Sequence, residues 1–151
     1  MKTGTDSAPP SNSPRTTTVQ ALSAVSPPAS PSTRTSVETA IWQVTVYVTS
    51  YKEEADKDLH LAVRDAAGHT MIVEIPAASC VGAGSPYGYQ IQAVRRQWLA
   101  QHPVSTSYTT LSPPVKVTVT GPGFFDRLHG QRGVAPNGVE LHPVLSMKGT
   151  P

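Results

Sequence analysis

The chain has little charge, few aromatic rings and almost no cysteine. Charged residues make up 15% of its 151 residues, against roughly 25% in an ordinary globular domain. The formal net charge of +2 is too small by itself to argue for a nucleic-acid partner. The single cysteine, Cys80, excludes an internal disulfide framework and a Cys-rich zinc site. No apolar run reaches the roughly 18 residues of a transmembrane helix, so no membrane span is expected. No basic-then-apolar leader follows Met1, so no signal peptide is expected within this chain. The length suits one domain and is short for two.

Proline runs the other way. The 15 prolines are about twice the usual share of roughly 5%, and they are unevenly spread. Ser, Thr and Pro fill 21 of residues 1–36, a composition that blocks long regular elements. Within this stretch, Thr18 to Val25 is expected to form a brief helix, capped from Thr16–Thr18. Its Val19, Leu22 and Val25 recur at a spacing of three, which would make one apolar stripe. Residues 1–36 thus read either as a disordered tail or as an arm that lays this stripe on the domain.

From Val37 the pattern changes to period two. Ile41 to Tyr51 alternates Trp42, Val44, Val46 and Val48 with Gln43, Thr45, Tyr47 and Thr49, which predicts a half-buried strand. Lys52 to Lys57 reads as a hairpin loop. Strands are predicted for Asp58 to Arg64 and His69 to Ile75, joined by a turn at Asp65 to Gly68. One convincing helix follows, about Tyr87 to Gln101, with Ile91, Val94 and Trp98 at helical spacing and Arg95-Arg96 as a solvated pair. Ser105 to Pro114 reads as a polar connector and Val115 to Thr120 as a fourth strand, broken by Gly121-Pro122-Gly123. The segment from Phe124 to Pro136 has no period, Asn137-Gly138 is a tight-turn signal, and Val139 to Met147 predicts a fifth strand that bends at Pro143. Three strands, a helix and two strands match a five-stranded OB-like Greek-key barrel. The expected division is an arm at 1–36, a barrel at 37–147 and a tail at 148–151.

The densest polar cluster is Asp126, His129, Gln131, Arg132, Asn137, Glu140 and His142. Glu140 and His142 stand two apart on a strand, so they share a face. The plainer expectation is a hydrogen-bond network that locks the irregular segment, and the sharper one is a ligand site. A metal site can be drawn from His60, His129, Glu140 and His142, but no cofactor is expected. A second candidate surface is the barrel face used by OB folds, here Tyr47, Tyr51, Lys57, His60 and Arg64. The second and third strands carry no aromatic ring, which weakens base stacking there. Glu53 and Glu54 read as solvated loop carboxylates. No G-x-S-x-G elbow is present, and Gly82-Ala83-Gly84 is too short for a phosphate loop. Cys80 by itself reads as an inert buried thiol.

Several pieces together resemble an uncharacterised family of exported bacterial proteins. They are Lys2 to Asp6, Pro31-Ser32-Thr33-Arg34 with Glu38-Thr39, Asp58 to Leu61, Thr70 to Glu74 and Cys80. The most specific is the long run from Gly123 to Val144, GFFDRLHGQRGVAPNGVELHPV. The resemblance implies an extracellular or cell-envelope location. It also implies an upstream cysteine, absent here, that would partner Cys80. It transfers no activity. The functional expectation is therefore a monomeric, non-enzymatic binding module of unknown ligand. Single-stranded nucleic acid or oligosaccharide on the barrel face is one alternative. A metal-assisted hydrolase using His129, Glu140 and His142 is the enzymatic one.

Overall fold

The period-two stretches become strands, and their valine-rich faces meet in one core. A computed structural model describes residues 13–30 and 32–149. The family-like Lys2 to Asp6 piece and Pro31 lie outside the described residues. The elements run β1 (Arg15–Thr16), α1 (Val19–Ser23), β2 (Ile41–Glu53), β3 (Leu59–Arg64), β4 (Thr70–Ile75), α2 (Gly88–Leu99), β5 (Thr109–Phe125), β6 (Val139–Leu141) and β7 (Ser146–Lys148). The protein is mainly β, a seven-stranded mixed sheet in the order β1-β2-β3-β4-β6-β5-β7. Because β2 also pairs with β5, the pairings β2-β3-β4-β6-β5 return to β2. The β1–β2 and β4–β6 pairs are parallel. Val44, Val46, Val48, Leu59, Leu61, Val63, Met71, Val73, Val117, Val119 and Leu141 pack together, with Ile91, Val94 and Trp98 of α2 against them. No helix among the described residues is long and apolar enough to cross a membrane.

Three local features depart from simple alternation. The pairing register shifts between Val48 and Ser50 on β2. A bulge of this kind reverses which side chains point inward. Tyr51, expected on the outer face, is therefore in the core at 3% exposure. Its ring packs edge-on to Trp98 and its hydroxyl donates to the Pro103 carbonyl. Second, β5 starts at Thr109 and runs straight through Gly121-Pro122-Gly123. These glycines serve close approach and do not break the strand. A Cβ on Gly121 would stand 2.5 Å from the Pro143 carbonyl oxygen, and one on Gly123 would stand 2.6 Å from that of Val37. Third, the predicted last strand splits at Pro143 into β6 and β7, which pair with different parts of β5.

The described part of the early segment packs on the sheet. Arg15 and Thr16 pair with Trp42 and Gln43 of β2. The Thr18 hydroxyl accepts from the Ala21 N–H and caps α1. Val19 and Leu22 of the stripe are 0% and 2% exposed. The Asn137 side-chain amide donates to the Leu22 and Val25 carbonyls and ties the arm to the late loop. Leu22→Ala is expected to lower unfolding stability by about 2–5 kcal/mol. Denaturant titration checks this, and an unchanged midpoint would mean that the docked stripe contributes nothing.

Two charge expectations are corrected. Arg95 is not a solvated surface residue. It donates to the Ile75 and Lys57 carbonyls and pairs with Glu53 at 3.2 Å. Glu53 is correspondingly sheltered, at 10% exposure, and also meets Lys57. One guanidinium therefore fastens α2 to the ends of β2 and β4. Cys80 is exposed, which overturns the buried-thiol expectation.

Candidate functional site

On β3 and β4, the residues that alternate away from the core are Asp58 just before β3, His60 and Ala62, then Ile72 and Glu74. His60 lies opposite Glu74, and Ile72 opposite Glu140 of β6. Alternation alone leaves this face in water. Instead the 126–138 segment folds over it. The His60 Nε2–H donates to the Arg132 carbonyl at 3.1 Å, and the Thr70 hydroxyl donates to the Val134 carbonyl. Gly133, with φ of 81°, lies so close to Ala62 that an added Cβ would stand 2.6 Å from that methyl. Both faces of β3 are thus covered, and five ionisable side chains are buried beneath the loop: Asp58, His60, Glu74, Glu140 and His142.

Glu74 joins the two histidines. One of its oxygens lies 3.3 Å from His60 Nδ1 and the other 3.0 Å from His142 Nδ1. His142 Nδ1 is also 2.9 Å from Glu140, so the predicted sharing of a face by Glu140 and His142 is realised as a hydrogen bond. His60 Nδ1 has a second carboxylate, Glu54, at 3.5 Å. The far nitrogen of His142, Nε2, is buried without a hydrogen-bond partner among the described residues. It faces Asp58 at 3.7 Å, while the other Asp58 oxygen accepts from the Ala77 N–H.

These contacts set the electrostatics. Burial by itself would raise Glu74, but hydrogen bonds from His142 and His60 hold it far below the usual carboxylate range. Burial dominates at Glu140 and pushes it up to about 7 despite its bond to His142. Burial would lower His142, yet bonds to Glu140 and Glu74 carry it up to about 9. His60 is raised as well, because its bonds to Glu74 and the Arg132 carbonyl outweigh desolvation. Asp58 is raised chiefly by burial.

Above the cluster lies a surface groove lined by Lys52, Glu54, Tyr108, His129, Gln131 and Arg132. The Tyr108 ring meets the edge of His60 at 5.7 Å. The Arg132 guanidinium sits 4.1 Å from the ring centre and the Lys52 ammonium 4.9 Å from it. The groove therefore holds a half-buried aromatic with two cations over its ring, next to the buried histidine–carboxylate cluster.

The seven residues of the predicted polar cluster separate into four places. Asp126, His129 and Gln131 form a loop network: the Gln131 amide donates to Asp126 and to the Arg127 carbonyl, and His129 approaches Asp126 at 3.8 Å. Arg132 lies on Tyr108, Asn137 holds the arm, and Glu140 and His142 belong to the buried cluster. His129 is 61% exposed while His142 is fully buried, so the trio named for a hydrolase is divided between surface and interior. The proposed barrel face is also dispersed. Tyr47 and Arg64 form a cross-strand cation–π pair at 5.1 Å, Tyr51 is in the core, His60 is buried, and Lys57 occupies a turn with φ of 73°. Asp58, Glu74, Lys52, Glu54 and Tyr108 were not predicted as site residues. Glu74 carried a signal, a carboxylate in the otherwise apolar run Met71 to Ile75. Tyr108, in an apparent connector, carried none. No family model matches the chain, and no curated protein matches it.

Proposed function

We propose that this chain is a non-enzymatic binding module on an OB-like barrel, and that a single-stranded nucleic acid lies in the groove over Tyr108. The observation that carries the reading is the Tyr108 ring with Arg132 at 4.1 Å and Lys52 at 4.9 Å. A guanidinium stacked on an aromatic ring, with an ammonium beside it, suits a base laid on the guanidinium plane and a phosphate held by the ammonium. The returning pairing order β2-β3-β4-β6-β5 and the position of α2 between β4 and β5 support the barrel reading. So does the place of the groove, between the loop after β2 and the loop after β5, the two loops that OB folds use for extended ligands. The resemblance to exported proteins makes the cell envelope or the exterior the proposed location.

Fluorescence anisotropy with labelled oligothymidine tests this. Binding is expected at low salt and should weaken as salt rises, because phosphate contacts release counterions. Tyr108→Ala should cost about 1–3 kcal/mol of binding, and Arg132→Ala should flatten the salt dependence. Absence of binding at low salt would overturn the nucleic-acid reading. Tyr108-dependent binding of a neutral oligosaccharide, insensitive to salt, would replace it with a sugar-binding one.

A further inference from the structure

The buried cluster contains one arrangement that hydrogen bonding alone does not account for. His142 Nδ1 has two carboxylate acceptors, Glu140 at 2.9 Å and Glu74 at 3.0 Å. A proton therefore sits on Nδ1, and Nε2 is directed at the Asp58 carboxylate across 3.7 Å, fully buried and without a hydrogen-bond partner among the described residues. If Nε2 carries a proton, as it does when the ring is charged, its N–H makes only a long ion pair with Asp58 at 3.7 Å, beyond hydrogen-bond length. If it does not, a lone pair faces a buried anion. Both arrangements are costly in a dry interior.

A cation in the gap removes the conflict. Metal–ligand bonds of about 2.1 Å to nitrogen and to oxygen bridge a 3.7 Å separation at a ligand–metal–ligand angle of roughly 120°. Glu74 supplies a third donor on leaving the His142 Nδ1–H to Glu140, since ligand atoms of Asp58, Glu74 and His142 all lie within 4.8 Å of one another and all three residues are buried. A ligating histidine ordinarily donates its other ring N–H to a carboxylate, which fixes its tautomer and raises its basicity. Glu140 holds the Nδ1–H of His142 in that way.

We propose that Asp58, Glu74 and His142 bind one divalent transition-metal ion, with Glu140 as the positioning carboxylate behind His142. One nitrogen and two carboxylate donors suit zinc or manganese and do not suit a thiolate-seeking ion. The site is separate from the Tyr108 groove, so it stands or falls independently of the nucleic-acid reading.

The test is isothermal titration of the full chain with Zn²⁺ after dialysis against a chelator, with the melting temperature followed in parallel. One ion per chain is expected, together with a higher melting temperature. Asp58→Asn, which keeps the side-chain volume, should weaken binding at least about tenfold, and Glu140→Gln should weaken it by a similar factor. The more accessible pairs His69–Asp65 and His129–Asp126 are the natural sites of adventitious binding. The double variant His69→Ala, His129→Ala should therefore leave the stoichiometric site intact. Absence of stoichiometric binding would overturn the proposal. So would binding that survives Asp58→Asn or is abolished by the double variant.

Discussion

Glu74→Ala is expected to destabilise the chelator-dialysed protein by about 3–5 kcal/mol, the cost of removing one partner from a buried charge network. The reason lies in what remains. Glu74 is 5% exposed and touches both buried histidines. Without it His60 keeps only the partly exposed Glu54 on that side, and His142 keeps Glu140 at Nδ1 and the long contact to Asp58 at Nε2. Each imidazole then loses much of the interaction that allows it to be buried charged. Glu74→Gln should be milder, because the amide oxygen still accepts from one of the two rings. Asp126→Ala removes a carboxylate from the more exposed Gln131 and His129 network and should stay within about 1 kcal/mol. Urea titration of the three variants checks the order. A Glu74→Ala cost no larger than that of Asp126→Ala would mean that the cluster is not a linked network.

The second large effect is expected at Gly138. Its φ is 77°, and an added Cβ would stand 2.4 Å from the Asp126 carbonyl oxygen. That oxygen is backbone, and the Asp126 N–H is itself bonded to the Gly138 carbonyl at 2.9 Å, so the two strand ends cannot part without losing the closure of the loop. Gly138→Ala combines left-handed strain with a contact that cannot relax, about 3 kcal/mol or more in total. Gly130 separates the two contributions. It has φ of 82° but nothing within 4 Å of an added Cβ, so Gly130→Ala carries only the backbone strain of about 1–2 kcal/mol. Equal costs at the two glycines would show that the close approach of residues 126 and 138 is not enforced in solution.

The strands of this protein were legible wherever one face meets the core and the other meets water. Val44, Val46 and Val48 alternate as expected, and Ile91, Val94 and Trp98 mark the buried stripe of α2. The reading failed where a local device overrides periodicity. A bulge after Val48 turned Tyr51 inward, and Gly121 and Gly123 looked like breakers when they are points of close backbone approach. The site was legible in part. Glu140 and His142 were paired from their spacing, because a strand fixes which neighbours share a face. Their partners were not, since the His60–Glu74 register is set by hairpin geometry across two strands. The burial of that face depends on a loop whose path no period describes. Tyr108 was missed for the same reason: its importance comes from Arg132 and Lys52, far away in the chain.

The claim that the groove beside the buried cluster is the binding surface is tested most directly by amide chemical-shift mapping as unlabelled oligothymidine is added to the isotope-labelled protein. The account predicts the largest shifts at residues 52–54, at Tyr108 and at 129–132, with smaller changes at His60 and Glu74 below them. Shifts confined instead to the Thr45, Tyr47 and Lys116 surface further along β2, or no shifts at all, would contradict it.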